Sequence, residues 1–241
     1  MSELSALVLG ATGGTGQHVL KEVLASKDFT RVGEYGRRVT QDIVEGQAKL
    51  EQKVIDFEKL GESGLKEGRW DVVFITMGTT RAQAGSAAAF EKIDREYVIN
   101  AARAAKSDDP SHDQRVVYLS SGGASVNSPF LYLKSKGLTE KGLAELGYKD
   151  TIIFKPGYLT NATRRESRPL EPFLNVFMGA VSCFVSAQID VSLLASAMVK
   201  SGRLGSSGLP ASALPASETT GNAQFTVIGN KGSVALGEAN V

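Results

Sequence analysis

The sequence has few of the residues that build disulfides and metal centres. Cys183 is the only cysteine among 241 residues, which excludes an intramolecular disulfide and a thiolate metal cluster. The two histidines, His18 and His112, have no nearby residues at metal-ligand spacing, and we interpret them as a helix-surface and a loop residue. We therefore expect a reducing compartment and predict no metal site.

The sequence also lacks an excess of charge of one sign and a long apolar segment. Its 27 basic and 26 acidic residues give a formal net charge of +1, which favours neither nucleic acid nor an anionic membrane as a partner. The apolar stretch 173–187 is interrupted by Asn175 and Ser182 and is shorter than the roughly 20 residues that span a bilayer. The first predicted strand begins at Ala6, so we expect no cleaved leader. These features predict a cytoplasmic protein with a small-molecule ligand.

Short apolar runs alternate with helical patterns along the chain. Helical spacing follows the first run, and longer helices are predicted over residues 86–106 and 130–146. The alternation predicts parallel crossovers and an α/β fold, a Rossmann-type doubly wound parallel sheet of about seven strands with a small C-terminal substrate-covering region. The predicted strands are residues 6–9, 31–36, 53–57, 71–77, 115–119 and 151–154, with a final edge strand at 225–228.

The length and composition favour one domain over residues 1–241, because 42% hydrophobic residues in a chain of this size suit a single large core. Residues 202–221 are rich in Ser, Gly, Ala and Pro without periodicity, which predicts a flexible surface loop. The apolar segment 173–185 has three interpretations: a cover over the substrate pocket, a dimer contact or a membrane-surface contact. A monomer and a homodimer both stay open.

A glycine loop follows the first predicted strand directly. Glycine permits a tight turn from strand to helix and lets backbone amides approach a pyrophosphate at the helix N-terminus. The G-x-x-G-x-x-G spacing differs from the commoner G-x-G-x-x-G but meets the same demands, and an ordinary glycine-rich turn is the alternative. The pattern predicts dinucleotide binding by Gly10, Thr12, Gly13, Gly14, Thr15 and Gly16.

An arginine pair stands where NAD-binding folds carry an acidic residue for the ribose. Arg37 and Arg38 can bind a 2′-phosphate bidentately, and no adjacent carboxylate would repel it, so NADP(H) is preferred over NAD(H). Solvated surface charge is the alternative interpretation. Because ligands bind at the carboxyl ends of strands, further cofactor contacts are predicted from Asp56, Phe57, Met77, Gly78, Thr79 and Thr80.

Tyr132 and Lys136 form a Y-x-x-x-K pair, one turn apart on the same face of a predicted helix. An ammonium favours the phenolate form of a neighbouring tyrosine, so Tyr132 could exchange a proton with a carbonyl oxygen while a nicotinamide carries the hydride. Ser121, with Ser120 as the alternative, ends the fifth strand and would orient the substrate. The catalytic candidates are therefore Ser121, Tyr132 and Lys136, and the last two would also contact the cofactor. The alternative is a surface aromatic–lysine pair.

The glycine loop, Tyr132-x-x-x-Lys136 and Lys155-Pro156-Gly157 together resemble the short-chain dehydrogenases/reductases. Further segments between residues 4 and 200 resemble, more narrowly, the atypical Tat-interactive-protein family and its fungal mitochondrial outer-membrane relatives. They are Gly36-Arg37-Arg38, Gly78-Thr79-Thr80-Arg81, Asp94-Arg95-x-Tyr97-Val98, Leu119-Ser120-Ser121-x-Gly123-Ala124 and Arg165-Glu166-Ser167-Arg168-Pro169.

This resemblance implies a Rossmann core, NADPH bound through the arginine pair, and a Ser-Tyr-Lys set. It also implies that Pro156 and Gly157 lie against the nicotinamide. The resemblance to the fungal relatives also implies a second possible location, peripheral on the mitochondrial outer membrane, beside the expected cytoplasmic one. Analogy with conventional members would add Asn100 as a fourth catalytic residue, although a structural role is commoner there.

Two hypotheses about function follow. The first is an NADPH-dependent oxidoreductase that reduces a carbonyl-containing small molecule, with Tyr132 as proton donor. The second is an NADPH-binding regulatory or sensor protein that acts through a protein partner without turnover. Oxidation of NADPH by a panel of aldehydes, ketones or quinones separates the two.

Overall fold

A computed structural model describes residues 3–41, 43, 46–161 and 187–241. The strands are β1 Leu4–Leu9, β2 Phe29–Gly36, β3 Leu50–Val54, β4 Val72–Ile75, β5 Arg115–Leu119, β6 Asp150–Lys155, β7 Tyr158–Thr160, β8 Gln188–Asp190, β9 Ala216–Thr220 and β10 Ala223–Gly229. The α-helices in these ranges are α1 Gly16–Ala25, α2 Arg81–Ala84, α3 Ala87–Glu91, α4 Tyr97–Ala105, α5 Leu131–Ala144, α6 Val191–Leu204 and α7 Asn230–Glu238. A π-helical turn, Lys92–Glu96, joins α3 to α4.

Eight of these strands form one sheet in the order β3-β2-β1-β4-β5-β6-β10-β9. All neighbours pair in parallel except β10 and β9, which are antiparallel. The chain reverses its direction of winding beside β1, where β2 lies on one side and β4 on the other. Parallel sheets of this kind bind ligands in the crevice at that reversal, outside the carboxyl ends of the strands. The predicted α/β, doubly wound class is confirmed.

The central strands are buried on both faces, which explains their continuous apolar runs. Residues 6–9 of β1 and all of β4 are fully buried. Alternate side chains of β1 enter two cores: Ala6 and Val8 pack with α1 and α6, whereas Leu7 and Leu9 pack with α4 and α5. Both layers of helices therefore hold the same strand, and this fixes the position of the loop that follows it.

The end of the sheet differs from the sequence prediction. Residues 202–221, predicted as a flexible loop, contain the end of α6, two 3-10 turns and strand β9. Strand β10 is consequently an inner strand between β6 and β9, and the prediction that residues 225–228 form an edge strand is wrong. β9 lies at the edge and is largely exposed, so its Ser, Thr and Glu residues need no apolar pattern.

The helical region 86–106 also differs from a regular helix. Uniform spacing predicts Phe90, Ile93, Tyr97 and Ala101 on the inner face, but Ile93 and Tyr97 are only partly buried. Asp94 is fully buried instead. A π turn contains an extra residue, so the inward face moves by one position at residues 92–96.

The single tryptophan, Trp70, is fully buried just before β4. Its ring leaves no room for a side chain at Gly33, where a Cβ would lie 2.5 Å from the ring. Tyr35 packs edge-on at a centroid distance of 5.9 Å, and the Arg31 guanidinium lies 4.1 Å from the ring centroid. Trp70 therefore packs the second half of β2 against the start of β4.

Three features of the sequence lie outside the described residues: Cys183, the motif 165–169 and, apart from residue 187, the apolar stretch 173–187. Within the described ranges, the helices are all too short or too polar to cross a bilayer.

Candidate cofactor and active site

The glycine loop turns sharply between β1 and α1. Gly10 has a φ of +94°, a conformation that side chains rarely adopt, and a Cβ there would lie 2.7 Å from the Met77 backbone nitrogen. A Cβ at Gly16 would lie 2.0 Å from the Gly10 carbonyl oxygen. The loop also closes on itself, because the Gly13 N–H donates to that same oxygen at 3.0 Å. These positions thus require glycine, and they bring the end of β1 against the end of β4.

The N-terminus of α1 lies directly behind this loop and suits an anion. Its first turn contains no acidic side chain, and Thr15 at the N-cap makes no side-chain capping bond. Thr12 and Gly13 are exposed at the mouth of the loop. Free N–H groups and the positive end of the helix dipole favour phosphate at such a position. The residues of the loop therefore fit the pyrophosphate of a dinucleotide.

The predicted 2′-phosphate site lies at the end of β2, where Arg37 and Arg38 are both exposed. The acidic side chain of β2, Glu34, is buried and does not face the solvent. One of its oxygens accepts hydrogen bonds at 2.7 Å from the Thr40 backbone N–H and hydroxyl, and the other accepts one at 2.7 Å from Gln52. Glu34 thus ties the segment that follows the arginines to β3 through Thr40 and Gln52, and its carboxylate is not exposed beside Arg37 and Arg38.

The residues after β3 have different positions. Asp56 is exposed and accepts a hydrogen bond from the Glu58 backbone N–H at 2.9 Å. Phe57 is buried and stacks on Tyr97 with ring centroids 5.4 Å apart. The Phe57 ring is therefore part of the packing against α4, and adenine contact by Asp56 and Phe57 stays a prediction.

Lys136 is buried where three elements meet. Its Nζ lies 3.0 Å from the Tyr118 hydroxyl of β5 and 3.3 Å from Asp94 Oδ1 of the π turn. The Tyr132 ring, one turn earlier on α5, has its centroid 6.0 Å from the same nitrogen. A Cβ at Gly78 would lie 3.5 Å from Nζ, so the backbone after β4 passes beside the lysine. The structure thus brings the predicted Tyr–Lys pair beside the backbone that follows the carboxyl end of β4.

Burial and the neighbouring polar groups act in opposite directions on the pKa of Lys136. Burial lowers the pKa of Lys136, but the interactions with Tyr118 and Asp94 outweigh burial and raise the pKa above its ordinary value. Burial raises the pKa of Tyr118 to about 12, although the neighbouring ammonium acts in the opposite direction. At neutral pH the cluster therefore holds a charged lysine beside a neutral phenol.

The two serines after β5 are not equivalent. Ser120 is buried and donates its hydroxyl hydrogen bond to Glu140, whose other oxygen lies 3.0 Å from Lys155 Nζ. Burial raises the pKa of Glu140, with the Ser120 and Lys155 contacts acting against this effect. Ser121 is only partly buried, and its hydroxyl makes a long contact of 3.4 Å with the Gly122 carbonyl oxygen. Ser121 is thus the better placed of the two to orient a substrate.

The Pro156-Gly157 turn lies beside the serine loop. The Gly122 N–H donates to the Pro156 carbonyl oxygen at 2.8 Å, and the Gly157 N–H donates to Asn230 Oδ1 at 2.9 Å. A Cβ at Gly157 would lie 1.9 Å from the Ala187 carbonyl oxygen, so this position also requires glycine. Packing therefore fixes the turn that is predicted to contact the nicotinamide.

Sequence reasoning missed Asp94 as a site residue. The carboxylate lies beside Lys136, and the only available signal was its place in the Asp94-Arg95-x-Tyr97-Val98 segment. Asn100 is exposed and accepts a hydrogen bond from Arg103 at 2.6 Å. It lines a separate open groove with Phe57 and Tyr97 on the outer side of α4. Within the described residues, nothing connects Asn100 with the lysine cluster.

A glycine loop at the winding reversal of a parallel sheet, followed by a helix N-terminus, defines a protein class that binds nicotinamide dinucleotides. A family model described as NAD(P)H-binding matches residues 10–195. Rat Protein HTATIP2 is 40% identical over 181 residues, covering 75% of this chain and 73% of the relative. Mitochondrial protein fmp52-1 of Aspergillus terreus is 32% identical over 241 residues, covering 97% and 99%. The chain belongs to the HTATIP2 and FMP52 family of atypical short-chain dehydrogenases/reductases.

Solved structures agree with the fold at much lower identity. The Bordetella bronchiseptica enzyme WbmG in complex with NAD and UDP is 15% identical, with a TM-score of 0.63 over 95% of this chain and 73% of that chain. WbmF from the same organism, in complex with NAD⁺, is 14% identical, with a TM-score of 0.60 over 86% and 72%. At such low identity the likeness concerns the Rossmann fold alone.

Proposed function

We propose that this protein is an NADPH-dependent oxidoreductase that reduces a carbonyl-containing small molecule. The observation that carries the proposal is the buried Lys136, held beside the Tyr132 ring and the Gly78 backbone. When bound, NADPH supplies the hydride for the carbonyl carbon. Gly10 to Gly16 and the N-terminus of α1 would hold the pyrophosphate, and Arg37 and Arg38 the 2′-phosphate.

In the proposed reaction, the Tyr132 hydroxyl donates its proton to the carbonyl oxygen as the alcohol forms. The Lys136 ammonium stabilises the phenolate left on Tyr132, and a proton from solvent restores the phenol. The Ser121 hydroxyl orients the carbonyl oxygen. Pro156 and Gly157 close the site beside Ser121, because the Pro156 carbonyl oxygen is hydrogen-bonded to the serine loop.

Replacing Tyr132 tests the proton transfer. With a substrate found in a panel of aldehydes, ketones and quinones, Tyr132→Phe should lower kcat by about 10²- to 10⁴-fold. The Kd for NADPH should change far less than kcat, because the phenylalanine ring keeps the packing and loses only the hydroxyl of a predicted cofactor contact. Tyr148→Phe is the control, because its buried hydroxyl bonds the Ala102 carbonyl oxygen at 2.6 Å and its loss should affect stability alone. Full turnover by Tyr132→Phe would refute the proton-donor role.

Replacing the arginines tests the preference for NADPH. Fluorescence titration should give a lower Kd for NADPH than for NADH in the wild-type protein. Arg37→Ala should reduce that preference by at least about tenfold, since a charge-assisted hydrogen bond is worth about 1.5–3 kcal/mol. The control is Arg103→Ala, an exposed arginine of α4 that bonds Asn100. Equal affinities for the two cofactors in the wild type would remove the basis for this proposal.

The same experiments separate an enzyme from a sensor. Tight NADPH binding without oxidation by any member of the panel would favour a regulatory protein that acts through a protein partner. In that case both Tyr132→Phe and the wild type would bind NADPH and neither would turn over a substrate.

We propose, from the family resemblance and the names of the fungal relatives, that the protein lies peripherally on the mitochondrial outer membrane. The relatives from Candida albicans and Emericella nidulans are named mitochondrial. Alkaline carbonate should release such a protein from isolated mitochondria, and external protease should digest it while the organelle is intact. Recovery in the soluble cytoplasmic fraction alone would contradict this location.

A further inference from the structure

The buried carboxylate of Asp94 is not used by the proton transfer described above. Its side chain is fully buried in the π turn, and Oδ1 lies 3.3 Å from Lys136 Nζ. The same oxygen accepts a hydrogen bond from the Thr79 backbone N–H at 3.3 Å. The Thr139 hydroxyl of α5 donates to the Ser135 carbonyl oxygen at 2.9 Å and lies 3.3 Å from the Asp94 carbonyl oxygen, so the π turn packs against the helix that carries the lysine. Asp94 thus contacts both the lysine and the loop after β4.

A buried carboxylate in this position lowers the stability of the fold unless a partner of opposite charge compensates for its burial. Burial of an ionised group is strongly unfavourable without a partner of opposite charge. The second oxygen, Oδ2, has no hydrogen-bond partner among the described residues. An apolar side chain would avoid this cost at a position on the inner face of a helix. The contacts of Asp94 with Lys136 and Thr79 therefore explain its presence here better than core packing does.

We propose that Asp94 is a positioning residue that keeps Lys136 charged and fixed beside Tyr132, and that holds the Gly78–Thr79 backbone against the lysine. This inference rests on the proposed function for its kinetic consequence. The ion pair itself can be tested without turnover. Asp94 acts through Lys136 and Thr79, and it has no assigned contact with substrate.

The groups that face the Lys136 ammonium come from three elements. They are Asp94 from the π turn, the Tyr118 hydroxyl from β5 and the Tyr132 ring from α5. Asp94 is the single carboxylate among these contacts. Its replacement by asparagine therefore removes the negative charge while burial of the ammonium persists. The asparagine oxygen can still accept the Thr79 N–H, so the loop should keep its position.

A direct titration tests the pair in the cofactor-free, full-length protein. Lysine labelled with ¹³C at Cε reports the protonation of each side chain by NMR, and Lys136→Met identifies the resonance. The wild-type Lys136 should titrate above the ordinary lysine pKa of about 10.4. In Asp94→Asn it should titrate roughly one to three pH units lower than in the wild type. Glu96→Gln, a carboxylate of the same turn that lies 3.9 Å from Arg95, should leave the Lys136 titration unchanged.

The kinetic readout follows from the same charge. The alkaline limb of the kcat profile should move to lower pH in Asp94→Asn, with the Kd for NADPH at neutral pH within about twofold of the wild-type value. Asp94→Glu, which keeps the charge, should restore most of the alkaline limb. A purely structural aspartate would lower stability without moving either pH profile.

The outcomes distinguish the inference from the proposed function. An Asp94→Asn titration that coincides with the wild type overturns the inference whether or not a substrate is found. A lowered Lys136 titration without turnover of any substrate would support the pair and contradict the oxidoreductase. If Asp94→Asn does not fold, the Lys136 titration in Tyr118→Phe decides. Asp94 alone should keep the Lys136 pKa raised in that variant, and an ordinary or lowered pKa there would contradict the pair.

Discussion

Gly10 is the position at which the backbone conformation of the cofactor loop can be tested by one substitution. Alanine there would meet two penalties. A left-handed φ of +94° costs an L residue about 1–2 kcal/mol. The new Cβ would lie 2.7 Å from the Met77 backbone nitrogen, and overpacking of this kind costs about 1–3 kcal/mol. Gly10→Ala should therefore lower the free energy of unfolding by roughly 2–5 kcal/mol.

Two other glycines separate these penalties. Gly85 has a φ of +87°, and a Cβ added there would have no neighbouring atom within 4 Å, so Gly85→Ala should lose only the conformational part, about 1–2 kcal/mol. Gly13 lies outside the left-handed region, and a Cβ there would lie 3.2 Å from the Gly10 carbonyl oxygen. Gly13→Ala should therefore have a small effect on stability while it alters the surface that faces the pyrophosphate.

The assay combines urea unfolding with NADPH titration of the same samples. Gly10→Ala should be less stable than Gly85→Ala and should bind NADPH at least tenfold more weakly, a loss of about 1.4 kcal/mol. Gly85→Ala should bind NADPH as the wild type does. If Gly10→Ala equals Gly85→Ala in stability and the wild type in affinity, then close contact between the ends of β1 and β4 does not shape the site.

Two further predictions concern polar contacts away from the site. The Lys49 ammonium donates to three carbonyl oxygens at the end of α1 and the start of β2, at 2.6–3.3 Å. Lys49→Met should lower the free energy of urea unfolding by about 1–3 kcal/mol, because those oxygens lose their donor; an unchanged midpoint would contradict this. Burial raises the pKa of Asp71, but hydrogen bonds from Ser5 and His112 outweigh it and leave the pKa below its ordinary value. Asp71→Asn should therefore lower the free energy of unfolding at pH 7. The difference in free energy between the variant and the wild type should become smaller as the pH falls below about 4, which urea unfolding at pH 7 and below pH 4 would measure.

The sequence predicts the central sheet well because strands that are buried on both faces consist mainly of apolar residues. Strands such as β4 have no exposed face and read as continuous apolar runs. The glycine loop is also predictable from the sequence. The φ angle of Gly10 and the close packing at Gly16 both require glycine. Together these features predict, from the order of residues alone, the edge of the sheet where a cofactor would bind.

Other features depend on contacts that a linear pattern does not contain. Asp94 is buried because the π turn changes the helical register, whereas regular helical spacing assumes 3.6 residues per turn throughout. The difference between Ser120 and Ser121 depends on Glu140, which lies 20 residues away from Ser120 along the chain.

Strand β9 had a usable signal. Thr220 pairs with Ala223 across the two residues Gly221-Asn222, and Gly221 has a φ of +58°. Such a two-residue, glycine-containing connection favours a hairpin, but the small polar residues before it resemble a loop. The Lys155 ammonium of β6 also reaches Glu218 of β9, at 3.2 Å, a contact across the sheet that composition cannot predict.

The packing of Trp70 gives the protein a built-in optical reporter. As the one indole of the chain, buried before β4, it should emit at short wavelength in the native state and shift to the red when β2 and β4 separate. Its edge-on partner Tyr35 pairs with Leu9, the residue before Gly10, so the indole also packs in the core beside the strand that ends in the glycine loop. Tryptophan emission therefore measures unfolding of the cofactor-free protein. Binding is measured separately by the emission of added NADPH, because the reduced nicotinamide absorbs where a buried tryptophan emits.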